Sequence, residues 1–206
     1  MYYKFELQNK FKLNQLQMMQ FDKYSVCLRH FNNKMNLTSI LEPDLIYIKH
    51  FYDSLLVSSL VRFDQINSLC DIGTGAGFPG IPLKILFPHL NLFLIESSYK
   101  KTIFLNFLVK ELSLQNVYIY HQQVEKHNFR YDYLIARALG KLNVILNLIY
   151  PLLNVKGSFI VMKGPNYRQE FINDKIFDKF RLKDKHVGVL PNQLGTRVNL
   201  LFNKLI

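Results

Sequence analysis

Between residues 66 and 162 the chain alternates short continuous apolar runs with stretches whose apolar residues recur every three or four positions. The first texture predicts buried strands and the second predicts helices with one face in a core. In order, this gives a strand at 66–71, a helix at 81–87, a strand at 92–96, a helix at 100–112 and a strand at 117–120. A strand at 133–136, a helix at 142–152 and a strand at 158–162 follow. Strands separated by helical segments imply βαβ units, a parallel sheet and right-handed crossovers. The chain ends differently. Runs at 181–189 and 197–202 flank the turn-rich Pro191-Asn192-Gln193-Leu194-Gly195, which predicts an antiparallel pair at one edge of the sheet.

Residues 1–62 read as a helical extension, and 63–206 as one compact unit. In the extension Leu13, Leu16, Tyr24, Cys27 and Phe31 recur at helical spacing, with Gln20 interrupting the stripe. Asn36-Leu37-Thr38-Ser39 breaks this helix, and Pro43 suits the first turn of the next. The second helix carries Ile46, His50, Asp53 and Leu56 to about Leu60.

Length and composition support a folded domain. The 206 residues are 49% apolar and 14% aromatic, enough to bury one good core. The formal net charge is +11, divided as +3 over 1–62, +3 over 63–162 and +5 over 163–206. No single tail carries it, so the charge is expected to decorate a folded surface and raises the prospect of a polyanionic partner. A lysine-rich proteome would produce the same balance. Cys27 and Cys70 are far apart and form no Cys-x-x-Cys pair, so neither zinc nor a disulfide framework is suggested. The N-terminus lacks a continuous apolar stretch and no run approaches a membrane span, which makes the cytoplasm the expected compartment.

Asp71-Ile72-Gly73-Thr74-Gly75-Ala76-Gly77-Phe78-Pro79-Gly80 follows a predicted strand and precedes a predicted helix, the context of a nucleotide-binding loop. Glycines allow a tight turn and close approach of a ligand to the backbone. Dinucleotide enzymes usually show G-x-G-x-x-G and seat a pyrophosphate on the helix N-terminus. Here an acid opens the loop, and the third glycine comes one residue early. A leading carboxylate repels a pyrophosphate but suits the ammonium group of a methionine moiety, which favours S-adenosylmethionine over NAD. Asp71, Gly73 and Gly75 are therefore expected to bind cofactor. Glu96 ends the next strand where ribose hydroxyls are normally gripped, and Val124-Glu125 is placed to flank adenine. With the antiparallel edge strand, the pattern is that of a Rossmann-like class I methyltransferase.

Several stretches together resemble the RsmG family, also called glucose-inhibited division protein B, the bacterial 16S rRNA guanine-N7 methyltransferases. They are Asn36-Leu37-Thr38, Lys49-His50-Phe51-Tyr52-Asp53-Ser54, and the loop extended through Ile81-Pro82-Leu83. Glu96-Ser97, Lys100-Lys101, Phe104-Leu105, Val124-Glu125, Arg137-Ala138 and Lys163-Gly164 complete the set, in order and spacing from about residue 13 to 200. The resemblance implies methylation of 16S rRNA at guanine(527)-N(7), with Gly73, Phe78, Val124, Glu125 and Arg137 contacting the cofactor. It further implies that the early helices and a basic face meet rRNA, in the small ribosomal subunit or its precursor. The chain departs from the family at Glu96 (usually Asp), Phe31 (commonly Trp) and Gln123 (frequently Arg). The last change removes a positive charge beside the Val-Glu pair.

Guanine N7 carries a free lone pair, so its methylation needs positioning of the donor methyl group and no general base. The sequence has no Asn/Asp-Pro-Pro-aromatic motif for amino-group methylation, and neither cysteine lies in a Pro-Cys or Thr-Cys loop suited to attack on a pyrimidine. No general base is assigned. Arg137 and Lys163 follow successive strands at the edge where open α/β sheets bind ligands, as candidate orienters of phosphate or of guanine O6. Bland readings stand beside these: Arg137 bridging Asp132 or Glu125, Lys163 at an ordinary strand end, and His50 paired with Asp53 one helical turn away. Tyr2, Tyr3 and Tyr131 are candidate base-stacking residues. A monomer is expected. Two competing functions are a small-molecule methyltransferase, which leaves the charge and N-terminal helices unexplained, and a non-catalytic RNA-binding protein.

Overall fold

A computed structural model describes residues Tyr2–Leu205. Helices α1 (Tyr2–Phe11) and α2 (Gln15–Met35) open the chain. Then come α3 (Pro43–Ile46), a π-helical stretch (Tyr47–Tyr52), α4 (Asp53–Leu55) and a 3-10 turn (Leu56–Ser59). The sheet follows as β1 (Ser68–Ile72), α5 (Gly80–Leu86), β2 (Asn91–Glu96), α6 (Tyr99–Glu111), β3 (Val117–His121) and β4 (Tyr131–Arg137). The last elements are α7 (Leu142–Ile149), β5 (Leu153–Lys163), β6 (Phe180–Val189) and β7 (Thr196–Lys204).

The seven strands lie in the order β3-β2-β1-β4-β5-β7-β6. The first five are parallel, whereas β7 runs against both β5 and β6. This is the expected mostly parallel α/β sheet closed by an antiparallel pair. Alternation of side chains divides the core in two. Leu69, Leu94, Ile135 and Ile160 join the cluster that includes Phe21, Leu28 and Phe51 from the N-terminal helices. Cys70, Ile95, Leu134 and Phe159 face the other way, onto Ile145, Leu146 and Ile149 of α7. The N-terminal segment thus shares a core with the sheet.

Three local expectations are corrected. The first helix is two, because Lys12 turns the chain at φ 52° and Asn14 opens α2 with a capping box. In that box the Asn14 side chain accepts from the Gln17 amide while the Gln17 side chain accepts from the Asn14 amide, satisfying helix-end donors. Leu13 is therefore buried in the break, and Leu16 is exposed. The buried stripe of α2 runs through Met18, Phe21, Ser25, Leu28 and Asn32 together with the expected Tyr24 and Cys27. Asn36 ends it in the left-handed conformation, as the expected break requires. Second, β5 begins at Leu153 rather than 158. Third, Tyr131 is no base-stacking surface, because it is buried with its hydroxyl on His127 Nε2 at 2.7 Å.

Candidate functional site

The glycine loop leaves the end of β1 at the carboxyl edge of the parallel strands. Gly73, Gly75 and Gly77 all take positive φ (64°, 63° and 101°), a conformation that side-chain-bearing residues adopt only at a cost. Their surroundings differ. A Cβ at Gly77 would lie 2.7 Å from the Tyr24 hydroxyl and 2.8 Å from Ile81, so this glycine admits packing from within the protein. At Gly73 the side chain of Leu139 occupies the Cβ position. Above Gly75 a Cβ would meet nothing nearer than 4.0 Å, leaving open space over bare backbone. Gly75 is the position at which a ligand can approach the loop, and it fits the expected cofactor.

Asp71 is fully buried, and it turns into the loop rather than out of it. Its Oδ2 accepts from the Thr74 hydroxyl at 2.7 Å and from the Gly80 amide at 2.8 Å, tying the loop's two ends together. Its Oδ1 is buried without a hydrogen-bond partner. Burial pushes the carboxyl up to about 7 against these hydrogen bonds. Sequence raises ammonium capture for Asp71; the contacts its Oδ2 makes here brace the loop. Glu96 has a matching role from β2. Its two oxygens accept from the Gly75 and Ser98 amides at 2.9 and 2.8 Å, so it is held at the loop's rim. Val124 is half-buried and Glu125 exposed on a 3-10 turn just after β3.

The Phe78 ring, expected to meet cofactor, packs inward. It stacks on Tyr24 (centroids 5.3 Å, 9°) and on His50 (4.4 Å, 14°), and the Arg137 guanidinium lies 5.3 Å from its centre. Its amide donates to Thr74 O at 2.9 Å, so the residue is fixed within the loop at both backbone and ring. Tyr24 also donates to Ala76 O at 2.5 Å, so α2 grips the loop directly.

Arg137, at the end of β4, joins the early helices to the sheet. Its guanidinium pairs with Asp53 Oδ2 at 3.3 Å and donates to His50 Nδ1 at 2.9 Å and Ser54 Oγ at 3.5 Å. Neither Asp132 nor Glu125 is its partner; Asp132 accepts from Asn154 instead. His50 and Asp53 are likewise not a pair with each other, since both serve Arg137. The other His50 nitrogen meets Thr38 Oγ1 at 2.8 Å. Burial, then the neighbouring Arg137 charge, lowers the imidazole to about 3, so His50 is neutral and accepts from the guanidinium at Nδ1. Asp53 also meets Arg197 Nε from β7 at 3.1 Å. Burial raises its pKa while both arginines oppose the rise.

A groove of about 250 Å³ opens at this edge between the ends of β4 and β5, lined by Asp53, Arg137, Ala138, Lys163, Gly164 and Arg197 among others. Lys163 stands at its side, with its ammonium donating to Gly140 O and Glu170 Oε2, both at 2.6 Å. The structure therefore brings Arg137 and Lys163 to one groove, and each already has an acidic partner. Sequence reading missed Arg197, Leu139 and Glu170. Arg197 is a lone cation at the start of an apolar strand, and no spacing in the sequence links it to Asp53.

The family model for rRNA small subunit methyltransferase G (GidB) matches residues 17–192. A ribosomal RNA small subunit methyltransferase G from Aster yellows witches'-broom phytoplasma (strain AYWB) is 47% identical over 203 residues, spanning 95% of this chain and 96% of the relative. The protein of that name from Listeria welshimeri is 39% identical over 202 residues, spanning 94% and 85%. Among solved structures, a mutant of MtNAS in complex with S-adenosylmethionine superposes with a TM-score of 0.61 at 16% identity, covering 93% of this chain and 73% of that one. A ribosomal protein L11 methylase from Lactobacillus delbrueckii subsp. bulgaricus gives a TM-score of 0.59 at 14% identity, covering 77% and 79%. These structural likenesses concern the fold; the match over most of the sequence assigns the chain to the rRNA small subunit methyltransferase G family.

Proposed function

We propose that the protein transfers the methyl group of S-adenosylmethionine to N7 of a guanine in small-subunit rRNA, the position homologous to guanine 527, without a general base. The observation that carries this reading is the state of the acids beside the groove. Asp53 is the only carboxylate in the lining named above, and it is held by two arginines. Asp71 is sealed beneath the loop, and both His50 nitrogens are engaged. Among the described residues at this groove, Asp53 and Glu170 each have a cationic partner, which suits a reaction that removes no proton. Methylation of N7 is such a reaction, because the lone pair is free in the neutral base.

In this reading the open backbone at Gly75 seats the cofactor with Gly73 beneath Leu139 beside it, Glu96 faces its ribose, and Val124-Glu125 borders its adenine. The bound cofactor supplies the electrophilic methyl group. Arg137 and Arg197 are fixed cations that orient the guanine O6 edge, since a guanidinium fork matches such acceptors. Lys163 supports the far side of the groove. Acceleration comes from alignment and exclusion of water. Residues 1–62 act as an extension of the methyltransferase unit at 63–206, bracing its loop. The enzyme works as a monomer in the cytoplasm; among the described residues no helix is long and apolar enough to cross a membrane.

The test is transfer from tritiated S-adenosylmethionine to small-subunit RNA, followed by nucleoside digestion. The expected product is labelled 7-methylguanosine. Label at another base position, or acceptance only by small molecules, would overturn the reading. Nucleoside analysis of rRNA from cells lacking the chain checks the same position independently.

A further inference from the structure

The groove at the carboxyl edge is one of two places where the sheet could receive a nucleobase. Helices α5 and α6 follow β1 and β2 and cover one face, while α7 follows β4 and covers part of the other. The β3–β4 connection holds only the short 3-10 turn Val124–Lys126, so among the described residues no helix follows β3 to cover the second face of β2 and β3. That bare face is aromatic. Phe93 and Tyr118 are register partners on β2 and β3, stacked with centroids 5.0 Å apart at 18°. Tyr131 packs on Phe93 at 5.2 Å, and Phe129 lies 6.2 Å from Tyr120. Phe129 is 62% exposed and Tyr118 45%. Together with Arg130 these rings line a groove of about 370 Å³.

The groove also touches Ser68 and Asn91, the first residues of β1 and β2, so it lies at the sheet edge opposite the glycine loop. Cations gather at this end. Lys204 and Lys179 both sit over the Tyr150 ring, 4.1 and 4.6 Å from its centre. Burial, then the positive charges of Arg130 and Lys179, pulls Lys204 below the ordinary lysine range. Lys156 and Arg181 line a second hollow with Lys204. The acid within the aromatic groove, Asp132, has Oδ1 occupied by the Asn154 amide at 2.9 Å.

We infer that this aromatic groove is a second RNA contact, holding an unpaired base of the substrate RNA on Tyr118 and Phe129 while the exposed Arg130, Lys156, Lys179 and Arg181 take the adjoining phosphates and the buried Lys204 is held by Tyr150 O and Leu153 O. The inference rests on the RNA-methylation reading and adds a docking point remote from methyl transfer. Stacking on aromatic rings is tolerant of sequence, because every base has a π-face, and neighbouring cations supply the backbone attraction. A sheet face with rings but no charge would suit a protein partner; the clustered cations favour a polyanion.

Small-subunit RNA substituted with 4-thiouridine, irradiated with the full chain and mapped by peptide, tests this. Adducts are expected within residues 117–131 as well as near the glycine loop. Tyr118→Ala and Phe129→Ala should lose those adducts and raise the KM for RNA about tenfold, with S-adenosylmethionine affinity retained. Phe129→Ala should keep the wild-type melting temperature, and Tyr118→Ala, which loses the stack on Phe93, should remain folded with a small decrease. Adducts confined to the loop edge would overturn the inference. So would sedimentation of the chain as a dimer that Phe129→Ala dissociates, because a second copy would then fill the groove. If the wild type crosslinks at 117–131 yet methylates no RNA, the methylation reading fails and the docking site stands.

Discussion

The imidazole of His50 and the ring of Phe78 lie face to face, 4.4 Å apart at 14°. This contact joins the irregular helix of the N-terminal segment to the cofactor loop. Because His50 also accepts from Arg137, a ring in the loop, a helix and the end of β4 are fixed as one unit.

Asp53 is the electrostatic centre of that unit, buried between Arg137 and Arg197. Removing one member of a buried ion pair leaves the others uncompensated, which costs about 3–5 kcal/mol. Asp53→Ala should therefore lower the unfolding free energy by about that amount. Arg137→Met should do the same, and the double variant should lose less than the sum of the two. Additive losses in urea titrations would show that the pair is not coupled.

Gly75 and Gly77 should separate binding from stability. Alanine at Gly75 has room, so its strain costs only about 1–2 kcal/mol. Its methyl group nonetheless occupies the space where a ligand reaches the loop. Gly75→Ala should fold but bind S-adenosylmethionine at least tenfold more weakly by calorimetry. Gly77→Ala drives a Cβ into Tyr24 and Ile81, and overpacking of this kind typically adds about 1–3 kcal/mol to the strain. Its primary defect should be a lower melting temperature. Equal binding losses with equal melting temperatures would contradict this division.

Asp71 and His50 should pull stability in opposite directions over one pH range. Asp71 titrates near 7 when folded, against a reference value of 3.8. The folded state then holds the extra proton, and stability falls as pH rises from about 4 to 7. His50 titrates near 3, against a reference value of 6.5. There the unfolded state holds the extra proton, and stability rises from about pH 3 to 6.5. Relative to the wild type, Asp71→Asn should steepen the rise with pH between 4 and 6.5, and His50→Gln should tilt the same window downward. Parallel pH–stability curves for the wild type and both variants would sink this assignment.

Tyr24→Phe keeps the stack on Phe78 but removes the hydroxyl from Ala76 O. A buried carbonyl left unsatisfied costs about 1–3 kcal/mol. Because that carbonyl lies in the loop, the KM for S-adenosylmethionine should rise along with the loss of melting temperature. An unchanged KM in steady-state assays would show that α2 supports the domain without setting the loop.

The sheet was legible because each strand is a compact apolar run bounded by turn residues, and the glycine loop because its acid and glycines are contiguous. Asn14 and Gln17 were equally legible as a capping box, although apolar residues at helical spacing continue across it. The π-helical stretch at Tyr47–Tyr52 was not legible, since it arises when hydrogen bonds slip to accommodate tertiary packing. The site was readable only where its residues are neighbours in sequence. Asp71 and Glu96 could be found from the strands they end, but their orientation depends on loop amides that curl back over them. Asp53, Arg137 and Arg197 come from three distant segments, and nothing in their local sequence announces the contact.

That three-way contact also sets a timetable. Its members are separated by 84 and 60 residues, counting from 53 to 137 and from 137 to 197. Closing loops of this length is slow compared with forming local turns. During synthesis from the N-terminus, Arg137 can meet Asp53 only after β1–β3 have been made, and Arg197 comes a further 60 residues later. A nascent chain thus has a glycine loop before it has the clamp that steadies it. Competence of the site would therefore follow the long-range closure of the fold rather than the formation of the loop itself.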